Sequence, residues 1–364
     1  MSLALGLVGL PNAGKSTLFN ALTRGSAVVA PYPFTTIDPN LGQVVVPDER
    51  LAAVAGVVRP RRVVPATMSV IDIAGLTAGA AKGEGLGNRF LARIREVDAI
   101  VHVVRCFATA DVPRAEGELN PVRDAELVEA ELALADLEVV ERAVERARSR
   151  AKAGDAAARE QAAKLQDVAD ALSRGVPLRR HHTDDEITSI ARDLRLLTAK
   201  PVLYIANVDE ASLPGGGPLA GALCRLAEPQ GAGCIALAAR LEADLQDFTV
   251  EDARAYLGAL GLEESALPRL VRASFTLLGL VSFFTILSNE VRAWPVPRGA
   301  TAQEAAGRIH TDMAAGFVRA EVIRWDALVG AGSVQEARDR GAVRVEGRDY
   351  PVADGDVITF RFAV

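Results

Sequence analysis

A chain of 364 residues with 49% hydrophobic side chains has material for two or three domains with buried cores. Its net charge of −6 excludes a broad non-specific nucleic-acid surface, although a local basic patch is compatible with it. Three cysteines, Cys106, Cys224 and Cys234, with no CxxC pair, fit a reducing cytosol better than a disulfide framework.

The apolar start, Met1 to Gly9, has no positively charged leader and is not read as a signal peptide. Leu3–Val8 reads as a short apolar strand, and Lys15–Thr23 as a helix with Leu18, Phe19 and Leu22 on one face. Met68–Ile73, Ala99–Arg105 and Pro201–Asn207 read as further buried strands. Strands alternating with helices predict a parallel α/β sheet. Between Asp124 and Arg174 apolar residues recur at helical spacing around a turn at Ala153-Gly154-Asp155, which predicts a helical hairpin, and the sheet pattern is expected to resume near Ile187. The uncharged run Ala273–Asn289 is short of the roughly 20 apolar residues of a spanning helix and reads as buried helix and strand, so no membrane association is expected. The last part predicts a small mixed β domain. Its strands are Val281–Leu287, Val291–Val296, Phe317–Ile323, Ala342–Val345 and Val357–Phe362, with a helix at Thr301–Ile309 capped by Thr301.

The chemistry is carried first by Gly9-Leu10-Pro11-Asn12-Ala13-Gly14-Lys15-Ser16, which matches G-x-x-x-x-G-K-[ST] between a strand and a helix. Glycines let backbone N–H groups curl around phosphate oxygens, and the helix N-terminus adds partial positive charge. Asn12, Ala13, Gly14, Lys15, Ser16 and Thr17 are therefore the expected phosphate-binding set. Lys15 reaches the β- and γ-phosphates, and the Ser16 hydroxyl ligates Mg²⁺. Asp72-Ile73-Ala74-Gly75 follows the next buried strand. Its carboxylate suits Mg²⁺ and the Gly75 N–H suits the γ-phosphate. In the intervening loop Tyr32–Asn40, Thr36 is the expected hydroxyl completing the Mg²⁺ shell when triphosphate is bound. Asn207-Val208-Asp209-Glu210 occupies the place of the guanine-reading N-K-x-D of GTPases, with Val208 for Lys and Glu210 for Asp.

At these residues the sequence resembles the Obg-like ATPase family, also called the YchF family, over essentially the whole chain. The resemblance extends to Lys82-Gly83-Glu84-Gly85-Leu86-Gly87-Asn88, His102-Val103-Val104-Arg105-Cys106-Phe107, Glu131 to Leu137, Tyr204-Ile205-Ala206-Asn207 and Ile309-His310-Thr311-Asp312. It implies an α/β P-loop GTPase-type domain (1–123 and 187–278), an inserted α-helical coiled hairpin (124–186) and a C-terminal β-grasp TGS domain (279–364). It also implies a preference for ATP over GTP, with GTP still possible, and association with the ribosome or ribosomal RNA. The chain is expected to be cytoplasmic and monomeric. The sequence departs from the family where a His is usual after Arg105-Cys106-Phe107. Arg114 stands there, a poor base but suited to neutralising charge on a transferring phosphoryl group.

The favoured function is thus an ATP-hydrolysing switch, catalysed through Lys15, Gly75 and Arg114. The alternatives are a GTPase with a relaxed base site and a P-loop small-molecule kinase. Leu76 stands where Ras-like GTPases place a water-orienting Gln, which predicts slow intrinsic hydrolysis. His102 reads as a core residue and His181-His182 as a solvated pair, while the sequence leaves His310 open between surface and core. Basic clusters at Arg59, Arg61 and Arg62, at Arg142 to Lys152 and at Arg338 to Arg348 are plausible phosphate contacts.

Overall fold

The computed structural model describes residues 3–24, 40–73, 86–108, 119–181, 184–287 and 289–363. Its strands are β1 (Ala4–Val8), β2 (Leu41–Val45), β3 (Arg62–Val64), β4 (Thr67–Asp72), β5 (Ala99–Arg105) and β6 (Val202–Asn207). They continue as β7 (Gly233–Leu237), β8 (Leu280–Leu287), β9 (Glu290–Pro297), β10 (Phe317–Arg324), β11 (Arg344–Glu346) and β12 (Asp356–Phe362). Two six-stranded sheets result, ordered β2-β4-β1-β5-β6-β7 and β11-β10-β12-β8-β9-β3. In the first, β1 runs parallel to β4 and β5, β6 to β5, and β7 to β6. All seven residues of β5 and all six of β6 are buried, as strands covered on both faces must be.

Contacts divide the chain into two units. One takes in Met1–Arg24 and Ser69–Leu267, the other Gln43–Met68 and Pro268–Val364. The second unit thus includes two segments that the sequence reading assigned to the nucleotide-binding domain, Gln43–Met68 and 268–278. For the first of these the reason is β3, which pairs in parallel with β9 from Arg62 opposite Glu290 to Val64 opposite Arg292. A three-residue strand carries too little periodicity to announce its partner.

Within the first unit, the helix Pro121–Lys152 starts with Pro121 behind an Asn120 cap whose side chain accepts from Arg123 N. The turn at 153–155 reverses it into the helix Ala156–Ser173, capped by Asp155. The two share a core of small and aliphatic residues, among them Val140, Val144, Leu165 and Leu172. Ile187 lies in the helix Asp185–Asp193, so the sheet resumes later than expected, at Val202. Asp136, fully buried, accepts from Leu197 N, Thr198 N and Thr198 Oγ1 at 2.8 Å each. It ties the long helix to the chain entering β6. Burial alone would hold its carboxyl well above the usual range, and these three donors oppose that.

Cys224 and Cys234 form a disulfide, with Cα atoms 5.3 Å apart, against the expectation of free thiols. The helix Gly217–Ala227 packs back on β7 and brings the two together. Cys106 stays a buried thiol, pushed up to about 12 by burial.

In the second unit β8 and β9 are antiparallel, as are β10 and β12 and β10 and β11, while β12 runs parallel to β8. Phe283, Phe317 and Phe360 meet edge-on in its core. Thr301 and Glu304 cap the helix Ala302–Ile309 reciprocally. His310 is exposed, and its Nδ1 accepts from Asp312 N at 3.2 Å.

Candidate nucleotide site

The phosphate loop leaves the C-terminal end of β1 and enters the helix Lys15–Arg24. Two of its glycines are sterically required. A Cβ on Gly9 would lie 2.2 Å from Val103 O, and one on Gly14, where φ is +95°, would lie 2.2 Å from Asn207 Nδ2. Asn12 adopts φ +63°, a conformation that Asn tolerates better than most residues. Lys15 is buried, and its Nζ donates to Gly9 O at 3.0 Å and Leu10 O at 2.9 Å, so the ammonium sits inside the loop's curl. Burial lowers its pKa and the nearby Asp72 carboxylate opposes that shift. Asn12, Ser16 and Thr17 are exposed around it, and Ala13 is buried.

Ser16 Oγ donates to Asp72 Oδ2 at 2.7 Å. The two expected metal-binding oxygens, 56 positions apart, are therefore neighbours. Asp72 Oδ1 is buried and takes no hydrogen bond from any described residue. An orphaned carboxylate oxygen beside a hydroxyl, at a phosphate loop, fits a hard divalent cation such as Mg²⁺, held directly or through water. The third expected metal ligand, Thr36, lies outside the described residues, as do Gly75, Leu76 and Arg114.

At the end of β6, Asn207 is buried and bridges two chain segments. Its Nδ2 donates to Ala13 O at 2.8 Å and its Oδ1 accepts from Ala239 N at 2.9 Å. Val208 is buried, with its N–H donating to Leu237 O. Asp209 faces its own turn, accepting from Ser212 N and Ser212 Oγ. Glu210 accepts from Tyr256 Oη at 2.6 Å. Sequence reading missed Tyr256 and Ala239. The small run Ala236–Ala239 closing β7 was a usable signal for the second. Nothing local marks Tyr256, which sits on the helix Val250–Ala259.

His102 is fully buried beside the Tyr204 ring, with centroids 5.2 Å apart. Burial lowers its pKa to about 4, so it stays neutral. Behind it Glu129 pairs with Arg179 and accepts from Tyr204 Oη at 3.1 Å. The side chains of His181 and His182 lie outside the described residues. Of the basic clusters, the C-terminal one is largely neutralised, since Arg338 pairs with Glu321, Arg340 with Glu336 and Arg344 with Glu346. At the hairpin Arg150 pairs with Asp155 and Arg148 bonds Gln166, while Arg142, Arg146 and Lys152 have no acidic partner among the described residues.

The family model of the YchF GTPase C-terminal region, described as a protein of unknown function, matches residues 280–363, and that of the 50S ribosome-binding GTPases matches residues 4–143. A ribosome-binding ATPase YchF of Haemophilus ducreyi is 47% identical over 364 residues, covering 100% of both chains. The chain belongs to the YchF family. Other YchF relatives are those of Escherichia coli O157:H7, at 45% identity over 364 residues, and Bacillus subtilis, at 43% over 366, each covering 100% of both chains. The structure of the Schizosaccharomyces pombe YchF GTPase matches with a TM-score of 0.89 at 35% identity, covering 99% of this chain and 98% of that one. This YchF chain therefore has the mixed α/β fold of P-loop GTPases and is a P-loop nucleoside triphosphatase.

Proposed function

We propose that this YchF chain is a magnesium-dependent ATP hydrolase that acts as a slow switch on the ribosome. The contact of Ser16 with Asp72, whose second oxygen has no hydrogen-bond donor among the described residues, carries the reading. Asn12 to Thr17 bind the phosphates, and Lys15 offsets their charge as it leaves the Gly9 and Leu10 carbonyls. Mg²⁺ bound by Ser16, Asp72 and Thr36 would neutralise charge on the β- and γ-phosphate oxygens. Gly75 senses the γ-phosphate and Arg114 stabilises the transferring group. With no Gln after Gly75, nothing in that position orients water, and turnover is slow.

Adenine is favoured over guanine because Glu210, the residue in the guanine-reading position, is engaged by Tyr256. Nucleotide chemistry belongs to 1–123 and 187–278, less the segments Gln43–Met68 and 268–278 that group with the C-terminal unit. The insertion 124–186 is a coiled hairpin, and the C-terminal domain 279–364 is a β-grasp of the TGS kind. The YchF relatives are named ribosome-binding ATPases. For this chain, the unpaired Arg142, Arg146 and Lys152 near the hairpin turn are the cations suited to ribosomal RNA phosphates. A switch acting on the ribosome would work in the cytoplasm, where the Cys224–Cys234 pair would meet a reducing environment.

The test uses the full chain. ATP with Mg²⁺ should be hydrolysed with water as sole acceptor, and Lys15→Ala should lose triphosphate affinity by at least about tenfold. Co-sedimentation with ribosomes should weaken in Arg142→Gln/Arg146→Gln and with rising salt. Unchanged ATP affinity in Lys15→Ala would remove the phosphate-loop assignment.

A further inference from the structure

The sheet's other end, away from the phosphate loop, holds a cavity of about 560 Å³ that the nucleotide chemistry does not use. Its walls are the residues leading into β5, the turn Leu178–His181, the helix Asp185–Asp193 and the chain leading into β6. These are N-terminal strand ends, whereas the phosphate loop leaves a C-terminal end of the same parallel sheet. With about 3.3 Å per residue, the seven residues of β5 put roughly 20 Å between the two.

The cavity's charge runs against that of the chain. Arg95, Arg179, Arg192, Arg195 and Lys200 line it, opposed by Glu96 and Asp98, in a protein of net charge −6. Arg179 is matched by Glu129, and Arg95 lies 3.9 Å from Asp136. Asp98 already accepts from Ala4 N at 2.8 Å. Arg192 and Arg195 have no ion pair among the described residues. Lys200 Nζ donates to Arg95 O and Val97 O, and burial lowers its pKa, while the Asp98 and Asp136 carboxylates oppose that shift without a direct ion pair among the described residues.

The backbone at Arg195 is left-handed, as it is at Arg59 after the helix Glu49–Val58. Arg195 has φ +52° and follows a helix whose end is closed by Leu196 N donating to Ala191 O at 2.8 Å. That position favours glycine, and a residue bearing a Cβ is strained there. Here it is an exposed arginine among the residues lining the cavity. Leu178, Ile187 and Leu196 add aliphatic surface to the same lining. A lining that combines cations with aliphatic surface suits an anion borne on an apolar body, and the volume is that of a small-molecule site.

We propose that this cavity binds a small phosphate monoester with an apolar or planar body, its phosphate held by Arg192, Arg195 and Lys200. Guanidinium groups pair bidentately with phosphate oxygens, and Lys200 adds a point charge.

Phenyl phosphate is the probe, titrated by calorimetry into the full chain with and without saturating ADP and Mg²⁺. We expect one site in both conditions, with Arg192→Gln and Arg195→Gln each lowering affinity about tenfold or more. Phenol, which lacks the phosphate, should give no binding. Arg195→Gly separates recognition from folding: it relieves the backbone, so its melting temperature should hold or rise while phenyl phosphate affinity falls. The assignment is overturned if phenyl phosphate gives no binding heat, if ADP abolishes it, or if affinity is unchanged in both Arg195→Gly and Arg192→Gln.

Discussion

Asn207 Nδ2 and Ala13 O are joined at 2.8 Å across 194 positions of sequence, linking the end of β6 to the phosphate loop. The same side chain holds Ala239 N at 2.9 Å, so one buried amide fixes the loop against two strand ends. Asn207→Ala leaves a buried carbonyl and a buried N–H unpaired, each costing about 1–3 kcal/mol. Unfolding in urea should report a loss of at least about 2 kcal/mol, and calorimetry a weaker ATP affinity. Asn207→Asp keeps the acceptor for Ala239 but sets a buried carboxylate oxygen against the Ala13 carbonyl, so it should be at least as destabilising as Asn207→Ala near neutral pH. Wild-type stability and affinity in both variants would deny the brace any role.

Ser16 and Asp72 lead to a prediction about metal dependence. An amide at position 72 cannot present two anionic oxygens to a cation, while its size is unchanged. In Asp72→Asn, the ratio of ATP affinity with Mg²⁺ to that with a chelator should drop at least about tenfold. A ratio equal to that of the wild type would take Asp72 out of the metal site.

His102 predicts a loss of stability in acid. Burial lowers its folded-state pKa to about 4, against 6.5 for the free group. Between those values the unfolded chain binds more protons than the folded one, so stability rises with pH and is lost as pH falls from about 6.5 to 4. At 1.36 kcal/mol per pKa unit the loss attributable to His102 approaches about 3 kcal/mol. Urea midpoints across this range should fall more steeply for the wild type than for His102→Gln. Parallel curves would mean that other groups control the acid limb.

The strands bearing the phosphate loop, Asp72 and Asn207 were legible because buried parallel strands are continuous apolar runs and each motif sits at a strand end. The capped helix at Thr301 was legible for a similarly local reason. The pairing of β3 with β9, the Cys224–Cys234 bridge and the bond of Tyr256 to Glu210 were not. Each joins segments through tertiary packing that leaves no mark on either segment alone. The expectation at Ile187 failed because a helix of nine residues, Asp185–Asp193, read as the return of the sheet.

Glu210 and Tyr256 set the last prediction, the preference for ATP. Guanine offers two donors, N1–H and the 2-amino group, which an aspartate in the GTPase pattern accepts together. Here Glu210 is one methylene longer, and its Oε1 already accepts from Tyr256 Oη at 2.6 Å. Asp209, the neighbouring carboxylate, is occupied by Ser212 N at 2.9 Å and Ser212 Oγ at 2.7 Å. Val208 is buried and lacks the long stem that a lysine lays along the base. A guanine at this strand end would leave donors unpaired at about 1–3 kcal/mol each, whereas adenine presents neither donor. ATP should therefore bind at least about tenfold more tightly than GTP. Tyr256→Phe releases Glu210, and since one partly exposed hydrogen bond contributes about 0.5–1.5 kcal/mol, GTP affinity should rise roughly two- to tenfold with ATP nearly unchanged. Val208→Lys/Glu210→Asp should move the preference further toward GTP. Calorimetry with non-hydrolysable analogues of both nucleotides measures all three proteins. Wild-type binding of the GTP analogue at least as tight as that of the ATP analogue would replace the ATPase reading with a GTPase one.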